Sequence, residues 1–222
     1  MKILHITNNF PTQKYPISGI FVKEQIDSLK ELNLNVSVYL INGREKGKKE
    51  YLKHIFLLRR YFRENKFDVI HCHHALTALS LILSGQARKN KVVVSFQNDP
   101  TYEFGLKLYQ FIQKRTHAWI FKNNSTLINS EQHHYLPNGV NTSVFKPISK
   151  IEACEKLKLD INKRYILFVS SNFMREQKRY DIFTEVINIL REKHGVKDLE
   201  ELKLINTKRE LVPYYFNAAS AH

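Results

Sequence analysis

The chain has 222 residues, of which 43% are hydrophobic and 25% charged, a composition typical of a globular protein that excludes an intrinsically disordered chain. The formal net charge of +14 favours anionic partners such as phosphates, lipid head groups or nucleic acid. Cys72 and Cys154 belong to no paired motif, so neither a disulfide framework nor a zinc site is expected. No apolar run suits a signal peptide or a membrane-spanning helix, which favours a cytoplasmic location.

The first hundred residues alternate between strand and helix patterns. Short apolar runs predict strands at 2–7, 36–41, 67–71 and 92–96. A loop rich in Asn, Pro and Gly follows the first run, and helical spacing of apolar residues then predicts helices at 21–32 and 75–84. Strands that alternate with helices indicate an α/β fold with a Rossmann-like parallel sheet covered on both faces.

The segment 44–66 is both basic and apolar. It holds nine Lys or Arg against three Glu, mixed with Leu, Ile, Phe and Tyr. A helix with this pattern has a broad apolar face and a basic border, which suits peripheral contact with an anionic membrane. The alternative is a helix that packs its apolar face on the core and leaves its charges in solvent.

The second half of the chain predicts the end of one domain and the beginning of another. A helix is expected at 106–119, a strand at 125–129 and a tight turn at Asn138–Gly139. A short helix at 151–159, strands at 165–170 and near 202–206, and a helix at 181–193 then form a second α/β unit. The predicted domains are therefore 1–147, and 148–222 as an incomplete second Rossmann-like domain.

Several motifs occur in the order seen in retaining glycosyltransferases of family 4. The string LPNGVN at 136–141, followed by FKP at 145–147, resembles the "IPNGVD…F.P" hinge of that family. PISGIFV at 16–22, DVIHCH at 68–73, ILFV at 166–169 and PYYFNAA at 213–219 are similar to further family segments in the same order. The resemblance covers nearly the whole chain and implies the GT-B fold, with an acceptor-side N-terminal domain and a truncated donor-binding domain.

The resemblance implies donor-binding residues. Gly19 precedes a predicted helix, where backbone N–H groups favour an anion, and the family uses such a glycine near the donor phosphates. Lys178 matches the family's basic residue at the donor diphosphate, and Arg175 is a candidate second cation that aligns less directly. A purely conformational role for Gly19, and surface roles for the two cations, are the alternatives.

Polar residues after two strands are candidates for the acceptor or sugar side. His73 ends a strand, where α/β sites form, although a structural histidine is an equal alternative. Among His71 to His74, neighbouring residues alternate faces, so at most His71 and His73 share a side, and metal binding is not expected. Gln97 and Asn98 stand where many relatives carry "HG.D", so Gln97 can donate a hydrogen bond but cannot carry a proton. Asp99 is either a site residue or a loop cap.

The implied function is transfer of a sugar from a nucleotide-diphosphate sugar to a glycan or lipid-linked acceptor, with retention and without a metal. The catalytic residues are not identified. The chain ends before the family's paired glutamates, so little activity is expected of the chain alone. An inactive remnant or a glycan- or membrane-binding module is the second hypothesis. Nucleic-acid binding is a weaker third hypothesis, because no recognisable reading motif accompanies the charge.

Overall fold

The computed structural model describes residues 1–124, 127–170, 173–174, 176–205 and 207–221, with the side chains of Arg44 and Gln177 excepted. The chain divides into two compact units, Met1–Gly139 and Val140–His222. The predicted domain boundary after residue 147 lies slightly later in the sequence and stays a prediction.

The first unit alternates strands and helices along the chain. Its strands are β1 (Lys2–Thr7), β2 (Asn35–Leu40), β3 (Val69–His73), β4 (Lys91–Phe96), β5 (Ala118–Phe121) and β6 (His133–Tyr135). Its helices are α1 (Ile20–Glu31), α2 (Gly43–Lys46), α3 (Lys49–Glu64), α4 (Ala75–Leu83), α5 (Pro100–Phe104) and α6 (Leu106–Gln113), with a 3-10 turn at Gln86–Lys89. All strand pairs are parallel and follow the order β2-β1-β3-β4-β5-β6, which confirms the predicted α/β, Rossmann-like sheet.

The two faces of this sheet differ in chemistry. Because side chains alternate along a strand, the apolar residues at every second position face the same way. That face forms the main core together with residues of α3, α4 and α6, and its fully buried members include Leu4, Ile6, Ile70, Val94, Leu58, Leu81 and Ile112. The opposite face carries a series of buried polar side chains, which begin with His5 and Thr7 on β1.

Local signals begin and end several helices. Oδ1 of Asp99 accepts hydrogen bonds from the backbone N–H groups of Thr101 and Tyr102, at 2.7 and 3.3 Å, and Pro100 occupies the first position of α5. This N-terminal arrangement satisfies donors that a helix cannot satisfy itself. Asn33, just after α1, adopts a left-handed conformation with φ of 59° and terminates that helix.

The second unit contains α7 (Lys150–Leu157), β7 (Arg164–Val169), α8 (Tyr180–Glu192), β8 (Leu199–Leu204) and α9 (Val212–Ala218), with 3-10 turns at Glu176–Lys178 and Arg209–Leu211. β7 and β8 are parallel, as the predicted strand-helix-strand unit requires. A small core surrounds Cys154, Tyr165, Leu167 and Leu202. Oδ1 of Asn217 accepts from the N–H of Ile148 at 2.9 Å and fixes the start of this unit on α9.

Three expectations about the end of the first unit are wrong. The helix predicted at 106–119 ends at Gln113, and Trp119 instead lies in β5, where pairing with β4 outweighs the helical spacing. The described part of the strand predicted at 125–129, namely 127–129, has no strand structure, and the strand there is β6. Asn138–Gly139 forms no tight turn among the described residues, and the turn instead closes where the N–H of Phe145 donates to the carbonyl of Asn141.

The basic segment 44–66 forms two helices rather than one. Gly47 lies between α2 and α3 with φ of 84°, a conformation that a helix interior does not allow. In α3 only Leu58 is fully buried, while Leu52 and Phe56 are 63% and 68% exposed. Within the part of the chain that the structure describes, every helix is too short or too polar to cross a bilayer.

Candidate functional site

The strand order places a change of direction between β1 and β3. From β1 the chain moves outward to β2, and it then returns to the other side of β1 to form β3, β4, β5 and β6. In open α/β sheets, ligands bind outside the carboxyl ends of the strands at such a switch point. Thr7 and His73, which end β1 and β3, are paired in register there.

Polar side chains on one face of the sheet form a row that ends at this edge. We call them the polar row: His5, Thr7, His71, His73, Ser95, Gln97 and Lys122. Gln97 and Lys122 directly follow Phe96 and Phe121, which end β4 and β5 in register, so alternation puts both side chains on the face opposite the main core. Every member of the row except the half-buried Gln97 is buried.

Three histidines form the centre of the polar row. Nδ1 of His5 lies 2.7 Å from Nε2 of His73, and Nε2 of His71 lies 2.7 Å from the hydroxyl of Ser95. The rings of His71 and His73 stack with centroids 4.1 Å apart. His71 and His73 therefore share a face, as alternation along the strand predicts, and His5 on the neighbouring strand joins them.

Burial keeps these imidazoles neutral. Desolvation lowers the pKa of His5 to about 4, and it lowers the pKa values of His71 and His73 well below the usual value. In the His5–His73 hydrogen bond one nitrogen donates and the other accepts, so each ring keeps one further nitrogen. Neither His5 Nε2 nor His73 Nδ1 has a hydrogen-bond partner among the described residues, which leaves one buried N–H and one buried lone pair without partners.

Among the described residues, these three histidines are the group that could hold a metal ion. One nitrogen from each of His5, His71 and His73 lies within 4.8 Å of the others. His5 was not predicted from the sequence, because its proximity to the other two histidines follows from the pairing of β1 with β3. Two features favour hydrogen-bonded imidazoles over metal ligands: the His5–His73 bond occupies two of the nitrogens, and the cation of Lys122 lies close enough to lower the pKa values of His71 and His73 further.

The three predicted residues after β4 have different surroundings. Oε1 of Gln97 accepts from Nδ2 of Asn138 at 3.3 Å, whereas Nε2 of Gln97 is buried without a partner in the described structure. Asn98 is exposed and its Nδ2 donates to Glu103. Asp99 caps α5, and the hydrogen bond from the Thr101 side chain is the main cause of its lowered pKa. Gln97 thus points into the polar row, and Asp99 has a structural role.

Gly19 is required by the path of the loop after β1. It begins α1 with φ of 64°, and a Cβ atom at this position would lie 2.0 Å from the carbonyl oxygen of Asn9. The hydroxyl of Ser18 also donates to Oδ1 of Asn9. A side chain at residue 19 would therefore force this loop away from the end of β1, so Gly19 shapes the edge at which the polar row ends.

Lys122 is a member of the polar row that the sequence analysis missed. Its side chain is only 8% exposed, and burial lowers the pKa of its ammonium group. Its N–H donates to the carbonyl of Phe96, which fixes the residue beside Gln97. The signal in the sequence is a lysine directly after a short apolar run, and it was missed because 118–119, the first half of that run, was included in the predicted helix 106–119.

The other predicted donor residues lie in the second unit. Lys178 is exposed in the 3-10 turn that precedes α8, and Arg175 lies outside the described residues. Arg179 begins α8 with φ of 51°, and its guanidinium pairs with Asp181 at 2.9 Å. Beside them, the rings of Phe173 and Tyr180 stack with centroids 4.8 Å apart. The neighbourhood of Lys178 thus combines a cation, a helix start and aromatic faces.

Several solved structures have the same fold. Sucrose-phosphate synthase from Thermosynechococcus elongatus matches 99% of this chain and 74% of its own, with a TM-score of 0.66 and 12% identity. A glycosyltransferase from Rickettsia africae matches 98% and 71%, with a TM-score of 0.59 and 11% identity. HepE from Anabaena, in complex with UDP and glucose, matches 99% and 72%, with a TM-score of 0.56 and 9% identity. At these identities the likeness concerns the fold alone.

A match to a family model shows more than a shared fold. None of the curated protein sequences matches the chain. The model described as "Glycosyl transferase 4-like" matches residues 4–132, which is more than half of the chain and runs from β1 past β5. This range contains the whole polar row and Gly19. The chain therefore belongs to the glycosyl transferase 4-like family, as the motifs of the sequence indicate.

Proposed function

We propose that this glycosyltransferase chain takes part in transfer of a sugar from a nucleotide-diphosphate sugar to a glycan or lipid-linked acceptor, with retention of the anomeric configuration. The observation that carries this proposal is the family match over residues 4–132. The complexes of Anabaena HepE with UDP and with UDP-glucose support a nucleotide sugar as donor. We propose that the transfer reaction does not need a metal ion.

Three residues are proposed to bind the donor. Glycosyl transfer leaves a negative diphosphate, which cations and helix N-termini stabilise. Lys178 is exposed just before α8, and Gly19 opens α1 without a side chain. We assign both to the donor diphosphate, with Arg175 as a second cation. In this role none of the three residues has to change its protonation state.

Calorimetric titration of the chain with UDP, GDP and ADP tests donor binding. We expect one of them to bind, and Lys178→Ala to weaken that binding by about tenfold, the usual loss for one charge-assisted hydrogen bond. Lys193→Ala is the matched control, because Lys193 is also exposed but lies at the far end of α8. Equal weakening by both variants would show a general charge effect and would remove Lys178 from the donor site.

The polar row is proposed as the acceptor side. His73 and Gln97 bring unpaired polar atoms, in the part of the chain that the structure describes, to the carboxyl ends of β3 and β4. Asn98 and Asp99 extend this edge into solvent, where Asp99 also caps α5.

NMR analysis of the product's anomeric configuration, with whichever donor binds, tests retention. An inverted product would contradict it.

Contact with an anionic membrane through 44–66 is proposed for a lipid-linked acceptor, which would place the protein at the inner face of the cytoplasmic membrane. Leu52 and Phe56 lie one helical turn apart on the exposed side of α3, beside Lys49, Lys53 and Arg60. Exposed apolar side chains with a basic border suit the interface between head groups and acyl chains. Nucleic acid is the weaker candidate for a partner of this basic segment.

Flotation with liposomes tests the membrane contact. We expect the chain to float with vesicles rich in phosphatidylglycerol and to stay behind with phosphatidylcholine alone, because anionic head groups attract the basic border. Phe56→Glu should reduce flotation strongly. Tyr102→Glu is the control, because Tyr102 is 93% exposed and lies on α5. Equal flotation with both kinds of vesicle would contradict the proposal.

A further inference from the structure

Lys122 is a buried cation without a counter-ion. Its side chain is 8% exposed, and no Asp or Glu of the described structure, which includes every Asp and Glu of the sequence, lies within ion-pair distance. Lysine is rarely buried unless it is paired, since removal of an ammonium group from water is costly. The neighbouring titratable groups give no relief, because they are histidines that burial keeps neutral and they supply no negative charge.

A second observation points to the same place. Nε2 of Gln97 is a buried donor that lacks a partner among the described residues, and Oε1 of the same amide is already used by Asn138. Gln97 and Lys122 follow strands that are paired in register, so they leave the sheet side by side. Among the described residues, the carboxyl ends of β4 and β5 therefore present to the same face an ammonium group without an ion-pair partner and an amide NH2 group without a hydrogen-bond partner.

An anion would satisfy both groups at once. A phosphate or carboxylate oxygen can accept from the ammonium group and from the amide, and charge-assisted bonds of this kind are the strong ones. A neutral hydroxyl would satisfy Gln97 but would leave the charge of Lys122 without compensation. The His73 ring, on the adjacent strand β3, can direct its unpaired nitrogen at a neighbouring hydroxyl of the same molecule.

We propose that Lys122 and Gln97 bind an anionic group of the acceptor, either a phosphate or a sugar carboxylate. This inference rests on the proposed transferase function and names the acceptor class for it. Lys122 provides the charge and Gln97 the second hydrogen bond, while the acceptor's sugar ring lies toward His73. The acceptor is accordingly an acidic sugar or a sugar phosphate, and not a neutral glycan.

The test uses the whole chain and small probes. Glucose 1-phosphate, sodium glucuronate and neutral glucose are titrated into chain labelled with ¹³C at its lysine side chains, and the Lys122 Cε signal is assigned by its loss in Lys122→Met. We expect at least one anionic probe to shift that signal and to bind about tenfold or more tightly than glucose. Preference for glucose 1-phosphate assigns a phosphate, and preference for glucuronate assigns a carboxylate.

Two variants distinguish binding from folding. Lys122→Met should abolish the preference for anionic probes while the chain stays folded, because the variant removes a buried charge. Gln97→Glu supplies an internal anion for Lys122, so it should also abolish the preference and should raise the melting temperature. Lys114→Met, at an exposed lysine after α6, should change neither property.

The inference is overturned if glucose binds as tightly as both anions, or if Lys122→Met keeps the preference. UDP is titrated in parallel. If UDP binds through Lys178 but the anionic sugars show no preference, the acceptor inference alone fails. If UDP and the other nucleotides do not bind either, the proposed function fails with it.

Discussion

Nδ1 of His5 lies 2.7 Å from Nε2 of His73, although the two residues are 68 positions apart in the chain. This hydrogen bond joins β1 to β3 through their side chains as well as through the backbone. It requires at least one neutral ring, since two imidazolium groups would both be donors. The pair therefore makes the stability of the first unit sensitive to acid.

We expect stability to fall between pH 6.5 and pH 4. Burial lowers the pKa of His5 to about 4 in the folded state, so between these values the unfolded chain takes up the proton and the folded chain does not. The contribution is complete above pH 6.5 and is lost as the pH falls, by about 2 kcal/mol for His5 between pH 7 and pH 5. Urea unfolding at both pH values measures it.

His5→Asn tests the origin of this loss. The Asn amide can replace Nδ1 in the bond to His73, but it does not titrate, so the variant should lose less stability on acidification than the wild-type chain. His134→Asn is the control, because His134 is exposed in β6. If His5→Asn has the same pH dependence as the wild-type chain, the loss comes from other groups.

Lys122→Met should make the folded chain more stable. The variant keeps most of the apolar length of the side chain and removes an unpaired buried charge, so the free energy of unfolding should rise by about 1–2 kcal/mol. Denaturant unfolding at pH 7 measures the change, with Lys114→Met as the exposed control. A less stable variant would mean that Lys122 already has compensation within the fold.

Gly19→Ala should destabilise the first unit severely. Alanine would place Cβ 2.0 Å from the Asn9 carbonyl and would also have to adopt φ of 64°. Gly85→Ala separates these effects, because Gly85 has φ of 79° but nothing within 4 Å of its Cβ position. We expect a loss of about 1 kcal/mol for Gly85→Ala and clearly more for Gly19→Ala in thermal unfolding. Equal losses would rule out the steric contribution.

Asp99→Ala should cost about 1 kcal/mol of stability through loss of the cap on α5, and Asp99→Asn should cost little, because an amide oxygen can accept the same bonds. Thermal unfolding of both variants measures the difference. A function beyond capping would appear as weaker binding of sugar probes by Asp99→Asn at unchanged stability.

The alternation of strands and helices could be predicted from the sequence, because each element of the first hundred residues has its own periodic pattern. Trp119 shows where this failed: it continues the apolar spacing of α6, and only pairing with β4 assigns it to β5. Of the candidate site, His73 was predicted from its place at the end of a strand, and Gln97 from the resemblance to the family's "HG.D" segment. His5 and Lys122 were missed because their roles depend on register between strands, which a single sequence does not reveal.

The position of β1 between β2 and β3 also affects how the chain folds during synthesis. β1 is hydrogen-bonded on both sides in the finished sheet, and its second partner, β3, follows β2 in the chain and ends at residue 73. A nascent chain that ends before β3 leaves one edge of an apolar strand open, and parallel pairings of this separation form slowly. Strand β1 is therefore a segment that needs protection from aggregation until β3 has emerged.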